Sequence, residues 1–222
     1  WSSDVCSSDL LALPEIFLLS AVSVLLIVDL FVSDKNRFFT YMLAQLTLFG
    51  CALVTVLGFD GTVRFTFSDM YVDDMLGDML KLMLYIAVSV AFVYARGYLI
   101  ERNIFKGEFF TLSLFALLGM MVMVSASNFL TLYLGLEILS LSMYALVALQ
   151  RDSVRGTESA IKYFVLGAIA SGMLLYGMSM LYGATGSLGI SAVAEKINYS
   201  TIDKNILVFG LVFVVAGIAF KL

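Results

Sequence analysis

Histidine is absent from this 222-residue sequence, and proline and tryptophan each occur only once. The two cysteines, Cys6 and Cys51, are too far apart in the sequence to suggest a disulfide framework. The sequence also lacks a CxxC pair, a His/Cys cluster and a GxGxxG run after a strand, which are the usual signs of metal and dinucleotide sites. We therefore expect this chain to bind no metal and no redox cofactor, so that any redox chemistry is carried by another chain.

Charged residues are scarce as well. They make up 14% of the chain, against 61% hydrophobic residues, and the mean hydropathy is +1.00. A soluble domain has about 25% charged residues. The net charge is −4 and no basic patch is present, which argues against nucleic-acid binding. Apolar blocks close to the roughly 20 residues that a spanning helix needs predict an all-α integral membrane protein.

Seven apolar blocks predict seven transmembrane helices. They cover Leu13–Phe31, Phe38–Gly58, Asp78–Tyr94, Phe110–Ala126, Phe129–Leu149, Ser159–Tyr182, and Ile206 to the last residue, Leu222.

The basic residues predict the orientation of these helices. The connections after the first, third and fifth spans hold Lys35, Arg37, Arg96, Arg102, Lys106, Arg151 and Arg155, whereas the other connections hold Arg64, Lys196 and Lys204. Because Lys and Arg concentrate on the cytoplasmic side, we expect the first helix to start on the outer side. The acid-rich segment SDMYVDDMLGD, residues 68–78, then faces outward, and we expect it to be solvated.

Glu137 is the ionisable residue deepest in a predicted span. It lies about nine residues into the fifth span, or roughly 13 Å at the rise of an α-helix, near the bilayer midplane. A charge there costs about 2.5–3.5 kcal/mol on insertion scales. Two interpretations remain open: a neutral carboxyl that joins two helices by hydrogen bonds, or a carboxyl that binds and releases a proton as a cationic partner moves.

Three further ionisable residues, Glu158, Lys162 and Lys221, lie within or at the edge of predicted spans. Glu158 and Lys162 are four residues apart at the start of the sixth span, in the favourable order for a pair on one helix face. They are either an interfacial anchor or part of a proton path. Lys221 lies about fifteen residues beyond Ile206 and needs a carboxylate partner if it is buried. Buried carboxyl and lysine groups on adjacent helices are what a proton relay requires.

Three stretches carry a resemblance to a known family. They are NFLTLYLGLEILSLSMYALVAL (128–149), GTESAIKYFVLGAIASGMLLYGMSMLYGATGSLGI (156–190) and VAGIAFKL (215–222). They resemble subunit N of the bacterial NADH–quinone oxidoreductase, respiratory complex I, one of its antiporter-like membrane subunits.

The resemblance implies a subunit of about fourteen helices with two inverted five-helix repeats. Glu137 matches the central glutamate of the fifth helix, Lys221 the lysine of the interrupted seventh helix, and Glu158 and Lys162 a pair on the sixth. In this family the central glutamate and the seventh-helix lysine form one half of a lateral proton path, which quinone reduction elsewhere in the complex drives. NADH, FMN, iron–sulfur clusters and quinone are bound by other subunits. The implied partners are neighbouring membrane subunits, including other antiporter-like ones, and the lipid of the bacterial inner membrane.

The resemblance also suggests how the chain is divided. Residues 11–109 hold the N-terminal helices 1–3, and residues 110–222 hold the first antiporter-like repeat, helices 4–7, with the last helix cut. We therefore expect a fragment of a longer subunit. The first ten residues, WSSDVCSSDL, resemble the translation of a sequencing-adapter oligonucleotide, and we expect them to be non-native.

Two alternatives remain open. A sodium/proton antiporter or a membrane-hydrogenase subunit uses the same fold and the same glutamate–lysine device. A non-conducting scaffold subunit would use the buried charges only to lock its helices together.

Overall fold

A computed structural model describes residues 11–32, 37–102, 104–150, 152–197 and 203–221. The ten residues expected to derive from an adapter lie outside these ranges. Within them the chain forms eight helices and one hairpin: α1 (Leu13–Phe31), α2 (Arg37–Gly58), β1 (Arg64–Thr66), β2 (Tyr71–Asp73), α3 (Met75–Glu101), α4 (Gly107–Val124), α5 (Phe129–Val147), α6 (Val154–Thr185), α7 (Ile190–Lys196) and α8 (Lys204–Lys221).

All of these helices except α7 are long and apolar enough to cross a membrane. The prediction of an all-α membrane protein with about seven spanning helices is confirmed. The third and sixth helices are longer than predicted, because a hydropathy pattern marks the apolar layer whereas the helix continues into polar flanks. Asp74 and Ser153 fix the true starts of α3 and α6, since their side chains accept hydrogen bonds from the Gly77 and Gly156 amides.

The acid-rich segment is not solvated throughout, and in this respect the prediction was wrong. Residues 64–73 form an antiparallel hairpin, and Tyr71 makes a further bridge to Ala126 at the end of α4. The hairpin turn uses positive φ angles at Phe67, Ser68 and Asp69. Tyr71 and Asp78 are buried, because the hairpin folds back onto the helix ends instead of extending into water.

The helices pack into two groups. A core that includes Leu18, Leu48, Phe92 and Phe110 joins α1, α2, α3 and α4. A second core, centred on Leu174, joins α6 and α8 and is lined by residues of α5. The first core contains residues from both sides of the predicted division between residues 109 and 110. That division separates repeats along the chain, and it stays a prediction. Because α4 also packs against α5, the two groups of helices are in contact.

Glycines allow α4 and α5 to touch backbone to backbone. A Cβ atom on Gly119 would lie 2.6 Å from the carbonyl oxygen of Gly135, which is closer than a side chain tolerates. Small residues at such crossings are typical of membrane helices, where close approach replaces hydrophobic burial as the source of attraction. This contact fixes the position of α5, which carries Glu137.

We predict opposite signs for the same substitution at two helical glycines. Gly119→Ala should lower the free energy of unfolding by about 1–3 kcal/mol, because the added methyl forces α4 and α5 apart. Gly97→Ala, in α3, should raise it by about 0.5–1 kcal/mol, because alanine favours the helix and open space surrounds Gly97. Thermal unfolding of the purified protein in nanodiscs measures both. Equal effects would contradict the packing described for α4 and α5.

Candidate functional site

Glu137 and Lys221 form a direct ion pair between α5 and α8. The Nζ atom of Lys221 lies 2.6 Å from Oε1 of Glu137, and the two side chains are 7% and 22% exposed, respectively. The sequence predicted burial for Glu137 and left that of Lys221 open, and the structure brings the two residues together. Such a pair is stable only while both charges remain in contact, because removing one partner leaves an uncompensated buried charge.

Two serine hydroxyl groups complete the surroundings of this pair. Ser171 on α6 donates a hydrogen bond of 2.5 Å to Oε1 of Glu137. Ser140 on α5 accepts one of 3.2 Å from Lys221. Three helices therefore meet at one carboxylate oxygen, and each ion of the pair keeps a polar neighbour.

The sequence carried a signal for only one of these serines. Ser140 follows Glu137 by three residues, a spacing that places both on one helix face. Ser171 is 34 residues from Glu137, and only the packing of α6 against α5 makes them neighbours.

A cavity of about 700 Å³ opens beside the pair and is lined by residues of α3, α4, α5, α6 and α8. Its walls are mostly apolar, and Lys221, Ser140 and Tyr163 are among the residues that line it. Lys221 lines this cavity and Glu137 is not among its lining residues, so open space adjoins the pair at the lysine. The surroundings of the pair can therefore accept a displacement of the lysine side chain.

Glu158 and Lys162 form the predicted pair on one face of α6. Their charged atoms are 2.6 Å apart, and the side chains are 60% and 69% exposed. They are not in contact with Glu137, since Lys162 precedes Ser171 by nine residues, or roughly 13 Å along the helix. In this chain the pair lies on an open helix face, where a single ion pair contributes about 0–1 kcal/mol.

A second buried ion pair was missed from the sequence. Lys81 on α3 lies 2.9 Å from Oε1 of Glu15 on α1, and the side chains are 1% and 9% exposed. Lys81 also donates a hydrogen bond of 3.0 Å to the Tyr71 hydroxyl. The signal was present, because Lys81 lies within the predicted third span, where a lysine needs a partner.

The hairpin beside this second pair carries two residues with altered acidity. Burial, together with the negative charge of Glu15, raises the pKa of Tyr71 above its ordinary value, so that the phenol stays neutral. Burial also raises the pKa of the Asp73 carboxyl, and Lys81 opposes that shift. Across the described part of the chain, no group of three or more His, Cys, Asp or Glu residues is arranged to hold a metal ion.

Comparison with known proteins gives two kinds of similarity. A sequence model of the family described as "NADH:quinone oxidoreductase/Mrp antiporter, TM" matches residues 126–222. Among solved structures, a chain of respiratory complex I from Thermus thermophilus with bound aureothin has a TM-score of 0.73 at 24% identity, covering 93% of this chain and 43% of that one. A chain of the archaeal membrane-bound sulfane sulfur reductase has a TM-score of 0.72 at 21% identity, covering 94% and 44%. At these identities the structures show a shared fold.

Curated relatives named NADH-quinone oxidoreductase subunit N match more closely. Those from Nitrosomonas europaea and Thiobacillus denitrificans are 57% and 59% identical over 211 residues. The match covers 95% of this chain and 44% of each relative, so the chain spans less than half their length. At this identity, over nearly all of its residues, the chain is similar to a part of NADH-quinone oxidoreductase subunit N.

Proposed function

We propose that this chain carries part of the proton path of a proton-translocating NADH–quinone oxidoreductase, with Glu137 and Lys221 as the groups that exchange the proton. The observation that carries the proposal is the ion pair between α5 and α8, 2.6 Å long and largely buried. The names of the curated relatives support the choice of enzyme.

The chemistry follows from the charge balance at Glu137. While Lys221 is in contact, its ammonium group stabilises the carboxylate, and no proton is bound. If Lys221 moves into the adjoining cavity, the carboxylate keeps only the Ser171 hydroxyl as a partner. A buried carboxylate without a cation favours protonation, so Glu137 takes up one proton. The return of Lys221 expels it. The position of one lysine thereby controls the binding and release of one proton.

In this proposal, quinone reduction on other subunits acts on the Glu137–Lys221 pair through a conformational change. In the proposed complex, NADH, FMN, the iron–sulfur clusters and quinone are bound by other subunits, and neighbouring antiporter-like membrane subunits pass the displacement to α8. No electron is transferred on this chain in the proposed mechanism.

Glu158 and Lys162 continue the path in this proposal. They form a second carboxylate–ammonium ion pair, on α6, with their charged atoms 2.6 Å apart. Their exposed face is where a further part of the complex would exchange protons with Lys162.

The chain would lie in the bacterial inner membrane, with the start of α1 on the outer side. The excess of Lys and Arg in the connections after α1, α3 and α5 supports this orientation. The hairpin of β1 and β2 then also faces the outer side, because it follows α2.

The family description, which includes the Mrp antiporter, supports a second candidate. A sodium/proton antiporter or membrane-hydrogenase subunit would use the same pair without NADH oxidation. Proton exchange in membrane vesicles that depends on sodium and not on NADH would favour the antiporter. A scaffold subunit would show neither response.

We predict that Glu137→Gln lowers NADH-driven proton uptake into inverted vesicles by tenfold or more while the complex still assembles. Glutamine keeps the hydrogen bond with Ser171 but cannot release a proton. Glu195→Gln, which removes an exposed carboxylate, is the matched control. The double variant Glu137→Gln with Lys221→Met avoids an unpaired buried lysine and should be equally defective. Normal pumping by either assembled variant would rule out the relay.

We also predict a several-fold loss of proton uptake for Ser171→Ala. A hydrogen bond to a charged group contributes about 1.5–3 kcal/mol, and its removal changes the balance between the paired and separated states of Glu137. Ser159→Ala, at an exposed position on the same helix, should be without effect. Equal activities of the two variants would mean that the Ser171 hydroxyl does not influence Glu137.

A further inference from the structure

Tyr144 on α5 is a buried tyrosine to which the proton path proposed above gives no role. It is 8% exposed. It follows Ser140 by four residues and Glu137 by seven, spacings that place all three side chains on one face of the helix. Because a buried phenol usually finds a hydrogen-bond partner, the neighbours of the Tyr144 hydroxyl group indicate what the residue does.

Two consecutive aromatic residues of α6 hold the ring of Tyr144. The ring centres of Tyr163 and Phe164 lie 4.8 Å and 5.6 Å from that of Tyr144, and both rings meet it edge to face at angles of 86° and 87°. This is a favoured arrangement of aromatic pairs. The two contacts fix the plane of the Tyr144 ring and, with it, the direction of its hydroxyl group.

The hydroxyl end of Tyr144 lies against Gly167 on α6, which is also buried. A Cβ atom on Gly167 would lie 2.5 Å from Cζ of Tyr144 and closer still to the hydroxyl oxygen, and the three atoms nearest to it all belong to Tyr144. Carbon atoms in contact are normally about 3.5–4.0 Å apart. The tyrosine therefore fills the space that a side chain at position 167 would need, and α6 approaches α5 closely here because the residue is glycine.

This contact lies one helical turn from the hydrogen bond that α6 makes to the ion pair. Gly167 precedes Ser171 by four residues, or roughly 6 Å along the helix, and Ser171 donates a hydrogen bond of 2.5 Å to Glu137. That length is at the short end for a hydroxyl group on a carboxylate. The helices cannot come closer at this point, and any separation of α6 from α5 weakens the bond.

The Tyr144 side chain also interacts with Ser140. The Ser140 hydroxyl donates its one hydrogen to the Leu136 carbonyl oxygen at 2.7 Å, which leaves two acceptor lone pairs. One of them accepts a hydrogen bond from Lys221, and the other is available to the phenol of Tyr144. A hydrogen bond from Tyr144 thus helps to orient the serine that contacts Lys221.

We propose that Tyr144 is a positioning residue for the Glu137–Lys221 pair. Its ring and hydroxyl group hold α6 at the distance from α5 at which Ser171 reaches Glu137. Its hydroxyl group also orients Ser140 for the contact with Lys221. The inference rests on the proton exchange proposed above, and in it Tyr144 neither gains nor loses a proton.

Tyr144→Phe keeps the ring contacts with α6 and removes only the hydroxyl group. We expect NADH-driven proton uptake into inverted vesicles to fall about threefold to tenfold, the range expected when one neutral hydrogen bond is removed. In infrared difference spectra during NADH oxidation, the carbonyl signal that Glu137→Gln abolishes should move to higher wavenumber, because the hydrogen bond from Ser171 weakens. Tyr176→Phe, which removes an exposed phenolic hydroxyl group from α6, is the matched control and should change neither quantity.

The two measurements separate positioning from packing. If Tyr144→Phe equals Tyr176→Phe in proton uptake and in the position of the carbonyl signal, the hydroxyl group has no part in the site and the inference fails. A defect in Glu137→Gln would then leave the proton path of the previous section intact. Normal uptake in Glu137→Gln as well would overturn both proposals.

Gly167→Ala tests the other side of the contact. Its methyl group has no space beside Tyr144, so we expect less assembled complex and several-fold slower proton uptake. Tyr144→Leu removes the three atoms nearest to position 167. Adding it to Gly167→Ala should restore assembly, because residues in contact are coupled, while uptake stays low because the hydroxyl group is missing. Failure of the double variant to assemble better than Gly167→Ala would overturn the contact on which the inference rests.

Discussion

A charge in a low-dielectric interior requires a partner, and this constraint shapes the chain. Glu137 lies well inside α5, and its charge is compatible with the membrane only because Lys221 reaches it from α8. To bring the two together, α6 packs along α8 and contributes Ser171 to the same carboxylate oxygen. The close contact of Gly119 with Gly135 fixes α5 against α4. The packing of four helices is therefore coupled to one ion pair.

The same constraint explains why the pair suits proton transfer. Its two charges come from different helices, so that a small displacement of one helix changes the electrostatic surroundings of the other. The cavity beside Lys221 provides space for such a displacement. By contrast, Glu158 and Lys162 lie on one helix, and a rigid movement of α6 leaves their separation unchanged. The two pairs have the same chemistry but respond differently to motion.

Much of the architecture could be predicted from the sequence because the apolar layer of a membrane imposes a length on every span. The seven spanning helices and the position of Glu137 well inside a span follow from that rule. The ends of α3 and α6 do not, since their polar flanks continue the helix under the control of Asp74 and Ser153. The contacts of Ser171 and of Glu15 with Lys81 depend on which helices are neighbours, and spacing along one chain carries no information about that. The hairpin escaped prediction because its acidic residues suggested solvent, whereas burial of Tyr71 determines its fold.

The central claim is that Glu137 binds a proton when Lys221 moves away. Infrared difference spectroscopy of the assembled complex during NADH oxidation tests it directly. The account predicts that a carboxylic-acid carbonyl signal appears during turnover and is missing in Glu137→Gln. If turnover produces the same signals with and without the Glu137 carboxyl, this residue keeps its charge throughout, and the account is contradicted.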